Sequence, residues 1–151
     1  NGGFPHGHTY SGNPLACAAG LGVLGEIDRL GLIENTRVMG DLLMEGLREL
    51  MARHSFVGDV RGKGLLTAFE LVADRDTMAP LPKELNAYER FVEICYERRL
   101  ITYSRRTRGG IDGDHFLVCP PMIVTQAQVG EILNILDDSL AVFAREAGLG
   151  A

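Results

Sequence analysis

The chain has 151 residues, 46% of them hydrophobic, which is enough for one ordinary domain with its own core and too few for two large ones. A net charge of −5 and a pI near 5.3 exclude a surface built for nucleic acid, which needs clustered Lys and Arg in excess; only "YSRRTRGG" departs locally from that balance. No run of about 18 apolar residues offers a membrane span, and three widely spaced cysteines (Cys17, Cys95, Cys119) without a CxxC pair read as free thiols of a cytoplasmic protein, each in an apolar stripe and by default a small core residue.

Along the chain, the first helix begins at Pro14, with Ser11 or Asn13 as its cap, and continues through "LACAAGLGVLGEIDRL". Its Ala and Gly content gives a small-residue surface, and the expectation is a helix packed on both sides. After a reset at Gly31, Leu32, Val38, Met39, Leu42, Leu43, Leu47, Leu50 and Met51 recur at helical spacing up to "ARHS". The period then changes: Phe56 to Val72 holds two β-rich runs around "RGKG", an antiparallel hairpin whose glycines supply the reversal. "ADRDTMAPLPKE" has two prolines and no apolar period, so it reads as a loop.

From Leu85 the positions Tyr88, Phe91, Val92 and Cys95 predict a third helix that ends near Arg98 and Arg99. A strand at "LITY", a mobile loop "SRRTRGGIDGD" and a strand at "HFLVC", stopped by Pro120-Pro121, follow. Thr125 with Gln128 makes a capping box for a last helix lined by Val129, Ile132, Leu133, Leu136, Leu140 and Phe143, and the tail "REAGLGA" is expected to fray. Strands and helices interleaved in this way predict an α+β two-layer domain, a small antiparallel or mixed sheet covered by helices. The first helix reads as a connector from another domain. The chain begins at Asn1 without Met and therefore reads as a piece of something longer.

The stretch "HGHTYSGNP", His6 to Pro14, gathers the polar chemistry ahead of the first helix. As a metal clip it would need His6 and His8, on one side of an extended segment, joined by His115 or Cys17; no second ligand cluster stands at metal-like spacing, and no metal is expected. As a phosphate cradle it offers the hydroxyls of Thr9, Tyr10 and Ser11, glycines at 7 and 12 that admit backbone N–H groups, and the partial positive charge of a helix N-terminus. The same residues also serve as plain capping residues.

"HGHTYSGNPLACAAGLGVL", "VRGKGLLTAFELV" and "GDHFLVCPPMIVT", in that order and with a capped helix after them, resemble the C-terminal portion of a class III (omega-type) aminotransferase dependent on pyridoxal phosphate. The resemblance implies the small C-terminal domain of the aspartate-aminotransferase-like fold for residues 31–151, with residues 1–30 as the end of the large domain and a connector helix. It implies that Thr9, with His8 beside it, binds the cofactor phosphate of the neighbouring subunit in a homodimer. The family's Schiff-base lysine and the aspartate facing the pyridine nitrogen precede this motif. Lys63 and Lys83, the chain's two lysines, both follow it, so no catalytic residue is expected in this chain and the fragment alone should be inactive.

In the ornithine-like branch an arginine three positions before "PPL" grips a carboxylate; here that position is Leu117. One of Arg105, Arg106 and Arg108 is the replacement that the resemblance suggests, against the alternative of solvated surface arginines. The implied activity is amino transfer between a small-molecule amine or amino acid and a 2-oxo acid, without nucleic acid or membrane partners. A decarboxylase or aminomutase of the same fold, or a non-catalytic interaction module from a truncated gene, is the alternative.

Overall fold

The computed structural model describes residues 2–3, 6–107 and 112–149. Its elements are α1 (Pro14–Arg29), α2 (Leu32–Arg53), β1 (Val57–Lys63), β2 (Leu66–Asp74), β3 (Ala79–Pro80), a 3-10 turn (Lys83–Leu85), α3 (Ala87–Glu97), β4 (Tyr103–Thr107), β5 (Asp112–Val118) and α4 (Gln126–Ala147). The chain divides into two units, Asn1–Glu34 and Asn35–Ala151.

In the first unit Asn13, not Ser11, caps α1: its side chain accepts the Ala16 N–H at 3.0 Å, and Pro14 follows as the first helical residue, where a missing N–H costs nothing. No residue of α1 is buried, and Leu15, Leu21, Val23 and Leu24 are all exposed. The expectation of a helix packed on both sides is not met within this chain.

The second unit is the α+β layer. Its strands run in the order β1-β2-β5-β4, with β3 added to β2, and every pairing is antiparallel. Alternation sends Thr67, Phe69 and Leu71 of β2, and Asp114, Phe116 and Val118 of β5, into the interior. Phe69 and Phe116 are direct cross-strand partners with ring centroids 5.1 Å apart. Phe91 of α3 meets Phe116 edge-on at 4.7 Å, and Phe143 of α4 lies 6.0 Å from Phe91. Leu43, Leu47 and Leu50 of α2 complete the same buried cluster. Each such ring or leucine contributes about 1.5–3 kcal/mol of transfer free energy, so this cluster is what holds sheet and helices together.

The structure moves several predicted boundaries. The strand predicted at "LITY" begins only at Tyr103, because Leu100 is used to close α3: with Arg99 in the left-handed region (φ 65°), the Leu100 N–H donates to Cys95 O at 3.0 Å. "SRRT" is strand rather than loop, since pairing with β5 outweighs the poor β propensity of arginine. The segment after β2 gains β3 and the 3-10 turn. The tail does not fray through "REA": α4 extends to Ala147, Gly148 caps it at φ 66°, and Leu149 N–H returns to Ala144 O at 3.0 Å. Of the cysteines only Cys95 is buried; Cys17 and Cys119 are exposed.

The hairpin turn between β1 and β2 sits directly on α2. A Cβ built at Gly40 would lie 2.4 Å from the carbonyl carbon of Gly64, itself a turn glycine at φ 55°. Backbone meets backbone there, and nothing can give way. Gly40→Ala should therefore lower stability by about 1–3 kcal/mol, the usual cost of overpacking, read as a lower urea midpoint. Gly25→Ala in α1, where a Cβ meets nothing within 4 Å, should leave that midpoint unchanged or higher. Burial pushes the Cys95 thiol up to about 11. Iodoacetamide at about pH 8 should thus label Cys17 and Cys119 and spare Cys95 until denaturant is added, as peptide mass spectrometry would show.

Candidate functional site

The turn before α1 shares its polar atoms between two tasks. Ser11 N–H donates to His8 O at 2.9 Å while the His8 N–H donates to Ser11 Oγ at 3.0 Å, a reciprocal clasp. Asn13 N–H donates to Tyr10 O at 3.0 Å, and Asn13 Oδ1 caps the helix. Gly12, at φ 76°, lets the chain reverse between the two. Ser11 and Asn13 are consumed by the turn itself. Thr9 is not: its hydroxyl and N–H make no hydrogen bond among the described residues, and it is exposed along with His8 and Tyr10. Nothing lies within 4 Å of a Cβ built at Gly7 or Gly12, so the approach to Thr9 is open.

This division fits a phosphate group. A phosphate accepts hydrogen bonds at several oxygens, and Thr9 offers two unspent donors on a turn already fixed by its neighbours, immediately ahead of a helix N-terminus. The rings of His6 and His8 meet edge to face at 5.0 Å, and among the described residues no three His, Cys, Asp or Glu side chains come together to hold a metal ion.

The three candidate arginines separate clearly. Arg108 lies outside the described residues. Arg105 and Arg106 lie on β4, not in a loop, and alternation points them to opposite faces of the sheet. Arg106 faces inward: Nε donates to Asp114 Oδ1 at 3.1 Å, Nη2 lies at the same distance from the same oxygen, and the guanidinium stacks 4.8 Å from the centre of the Tyr88 ring. Asp114 is wholly buried, and among the described residues its Oδ2 has no partner. Removing one member of a buried pair of this kind costs about 3–5 kcal/mol, so Arg106 holds the fold and is not free to swing. The sequence reading missed Asp114, because "GIDGD" looks like loop; the signal was the alternation Asp114, Phe116, Val118, which puts an acid on the buried face.

Arg105 faces outward and is exposed. Its Nε donates to the Tyr103 hydroxyl at 2.5 Å, and its Cζ lies 5.4 Å from the Tyr103 ring centre. Leu117 is the cross-strand partner of Tyr103, and His115 that of Arg105. Lys63, at the end of β1, and Lys83, opening the 3-10 turn, are exposed and remote in sequence from Thr9. Among the described residues no helix is long and apolar enough to cross a membrane.

Comparison with known proteins gives a consistent result. The family model "Aminotransferase class-III" matches residues 1–140. A taurine–pyruvate aminotransferase of Bilophila wadsworthia is 34% identical over 142 residues, 93% of this chain and 30% of that protein. A transaminase from the marine bacterium Virgibacillus superposes with a TM-score of 0.85 at 32% identity, covering 97% of this chain and 32% of its own. An amine transaminase from an uncultivated Pseudomonas species, in a pyridoxal-phosphate-bound form, does so with 0.78 at 33% identity, covering 92% and 30%. The chain thus spans about 30% of the length of the relatives it matches, and its α+β layer is a part of the aminotransferase fold. By sequence over residues 1–140 and by fold over nearly its whole length, the chain belongs to the class-III aminotransferase family.

Proposed function

We propose that this chain forms the C-terminal small domain, with its connector, of an omega-type aminotransferase that moves an amino group between an amine or amino acid and a 2-oxo acid. Residues 1–30 are the end of the large domain and the connector helix, and residues 31–151 are the small domain. Enzymes of the class-III family depend on pyridoxal phosphate, which when bound supplies the electron sink for moving a proton and an amino group. The observation that carries the reading is Thr9, whose two donors stay unspent on a turn that Ser11 and Asn13 have already stabilised. In this reading Thr9, with His8 beside it, holds the cofactor phosphate of the neighbouring subunit in a homodimer. Three unpaired thiols among the described residues accord with a cytoplasmic enzyme.

The cofactor's lysine and the group facing its pyridine nitrogen lie outside this chain, since both lysines here are exposed and stand far from Thr9 in sequence. In this proposal the chain's part is to bind the phosphate and to shape the substrate side of the site.

In the full-length enzyme, Thr9→Ala should weaken pyridoxal phosphate binding by about ten- to a hundredfold, the worth of a hydrogen bond to a charged group at about 1.5–3 kcal/mol, with Thr9→Ser losing much less. Equilibrium dialysis of the cofactor checks this, and unchanged affinity in the alanine variant removes Thr9 from the site. Mixing the 151-residue chain alone with pyridoxal phosphate and reducing with borohydride should modify neither Lys63 nor Lys83 stoichiometrically; specific capture at either, found by mass spectrometry, would overturn the assignment of the lysine to another part of the protein.

A further inference from the structure

We infer that β4 has two registers on β5, one residue apart, and that the shift between them exchanges the side chains on the outer face of the sheet. In the register described above the alternation of β4 is inverted. Ile101, just before the strand, and Tyr103 within it are 84% and 51% exposed, while Thr102 is only 8% exposed and Ser104 and Arg106 face inward. An antiparallel strand covered on one side by helices ordinarily turns its apolar residues in and its polar residues out.

The offset that corrects this inversion is already present at the end of the strand. Arg106 pairs with Asp114 but Thr107 pairs with Asp112, so Gly113, at φ 81°, is an extra residue bulged out of β5. Carrying the Thr107–Asp112 offset back along β4 pairs Arg105 with Asp114, Tyr103 with Phe116 and Ile101 with Val118, three β5 residues that are all buried. Thr102, Ser104 and Arg106 then turn outward. A bulge that moves along the ladder is all that separates the two pairings.

The shift is open to β4 and closed to its neighbours. Phe69 against Phe116 pins β5 to β2, whereas β4 ends the strand order, pairs only with β5, and sends inward Ser104 and Arg106, neither of them apolar. Ser104 is half-buried, so the place opposite Phe116 lies at the rim of the aromatic cluster, where a tyrosine ring can pack with its hydroxyl in water. Adjacent arginines keep the buried acid paired either way: Arg106 holds Asp114 beside the Tyr88 ring in one register, and Arg105 takes that place in the other. Ile101 and Thr102, which belong to no helix or strand, supply the one residue of slack after Leu100. The outer face is apolar in the first register, with Tyr103 opposite Leu117, and hydroxylated in the second. Water on that face favours the second register, and an apolar surface laid over it holds the first.

The test uses cysteine pairs in the full-length enzyme, with Cys17→Ser and Cys119→Ser to remove the exposed thiols of this chain, oxidised glutathione as the oxidant, and mass spectrometry of linked peptides as the readout. Arg105→Cys with His115→Cys reports the first register, in which these two positions are partners. Ser104→Cys with His115→Cys reports the second, because in the first their side chains lie on opposite faces. Ser104→Cys with Leu117→Cys, offset by one in the other direction, belongs to neither register and measures simple looseness. With the second register a minor state of about 0.1–10% of molecules, its pair should close about ten- to a thousandfold more slowly than the first, while the control pair stays reduced. Gly113→Val puts a β-branched side chain where the bulge needs φ 81°, and should speed closure of the second-register pair by about five- to thirtyfold. If the Ser104 and His115 substitutions lower the melting temperature, Thr102→Cys with Leu117→Cys reports the same register in their place. A second-register pair that stays reduced, closes no faster than the control, or is indifferent to Gly113→Val overturns the inference and leaves β4 with one register.

Discussion

The direct pairing of Phe69 with Phe116 fixes this domain more than any other contact. Side chains on a strand alternate with a period of two, so a slip of one residue would carry every inward group to solvent and every outward group inside. Two phenyl rings stacked at 5.1 Å, closed over by Phe91, which in turn meets Phe143, make such a slip prohibitively costly. Through β5 the same register passes to β4, and there it decides between two adjacent arginines. Arg106 falls on the side of the aromatic cluster, where Asp114 must neutralise it, and Arg105 falls on the open side. The chemical difference between them comes from the pleat and not from the residue type.

This dependence also explains what was legible in the sequence. Helices α2 and α4, the β1–β2 hairpin and the capping box at Thr125 announce themselves through local periodicity and cap chemistry, and the structure holds all of them. The strand β4 does not, because "YSRRT" has no apolar alternation; it becomes a strand only through its partner β5, a non-local fact. The Arg106–Asp114 pair is hidden for the same reason, since each residue alone looks like a solvated charge. The cap of α1 was ambiguous between Ser11 and Asn13, and geometry settles it, because Ser11 is drawn back to the His8 N–H.

Motif resemblance and physics played complementary parts. The family motif singled out Thr9, which physical reasoning alone could not tell from its hydroxyl-bearing neighbours. The hydrogen bonds of the turn supply the physical distinction: Ser11 is consumed, and Thr9 is left available. For the arginines the order was reversed, since the motif pointed only to a neighbourhood and the pleat of β4 separated its members.

The reciprocal clasp between His8 and Ser11, with Asn13 capping the helix, has a consequence for how this segment varies among descendants. Folding of the turn is secured by Ser11 and Asn13, while Thr9 makes no hydrogen bond among the described residues. Shape and surface chemistry can therefore drift independently here: a lineage could replace Thr9 while keeping Ser11, Gly12 and Asn13, and its turn would look unaltered.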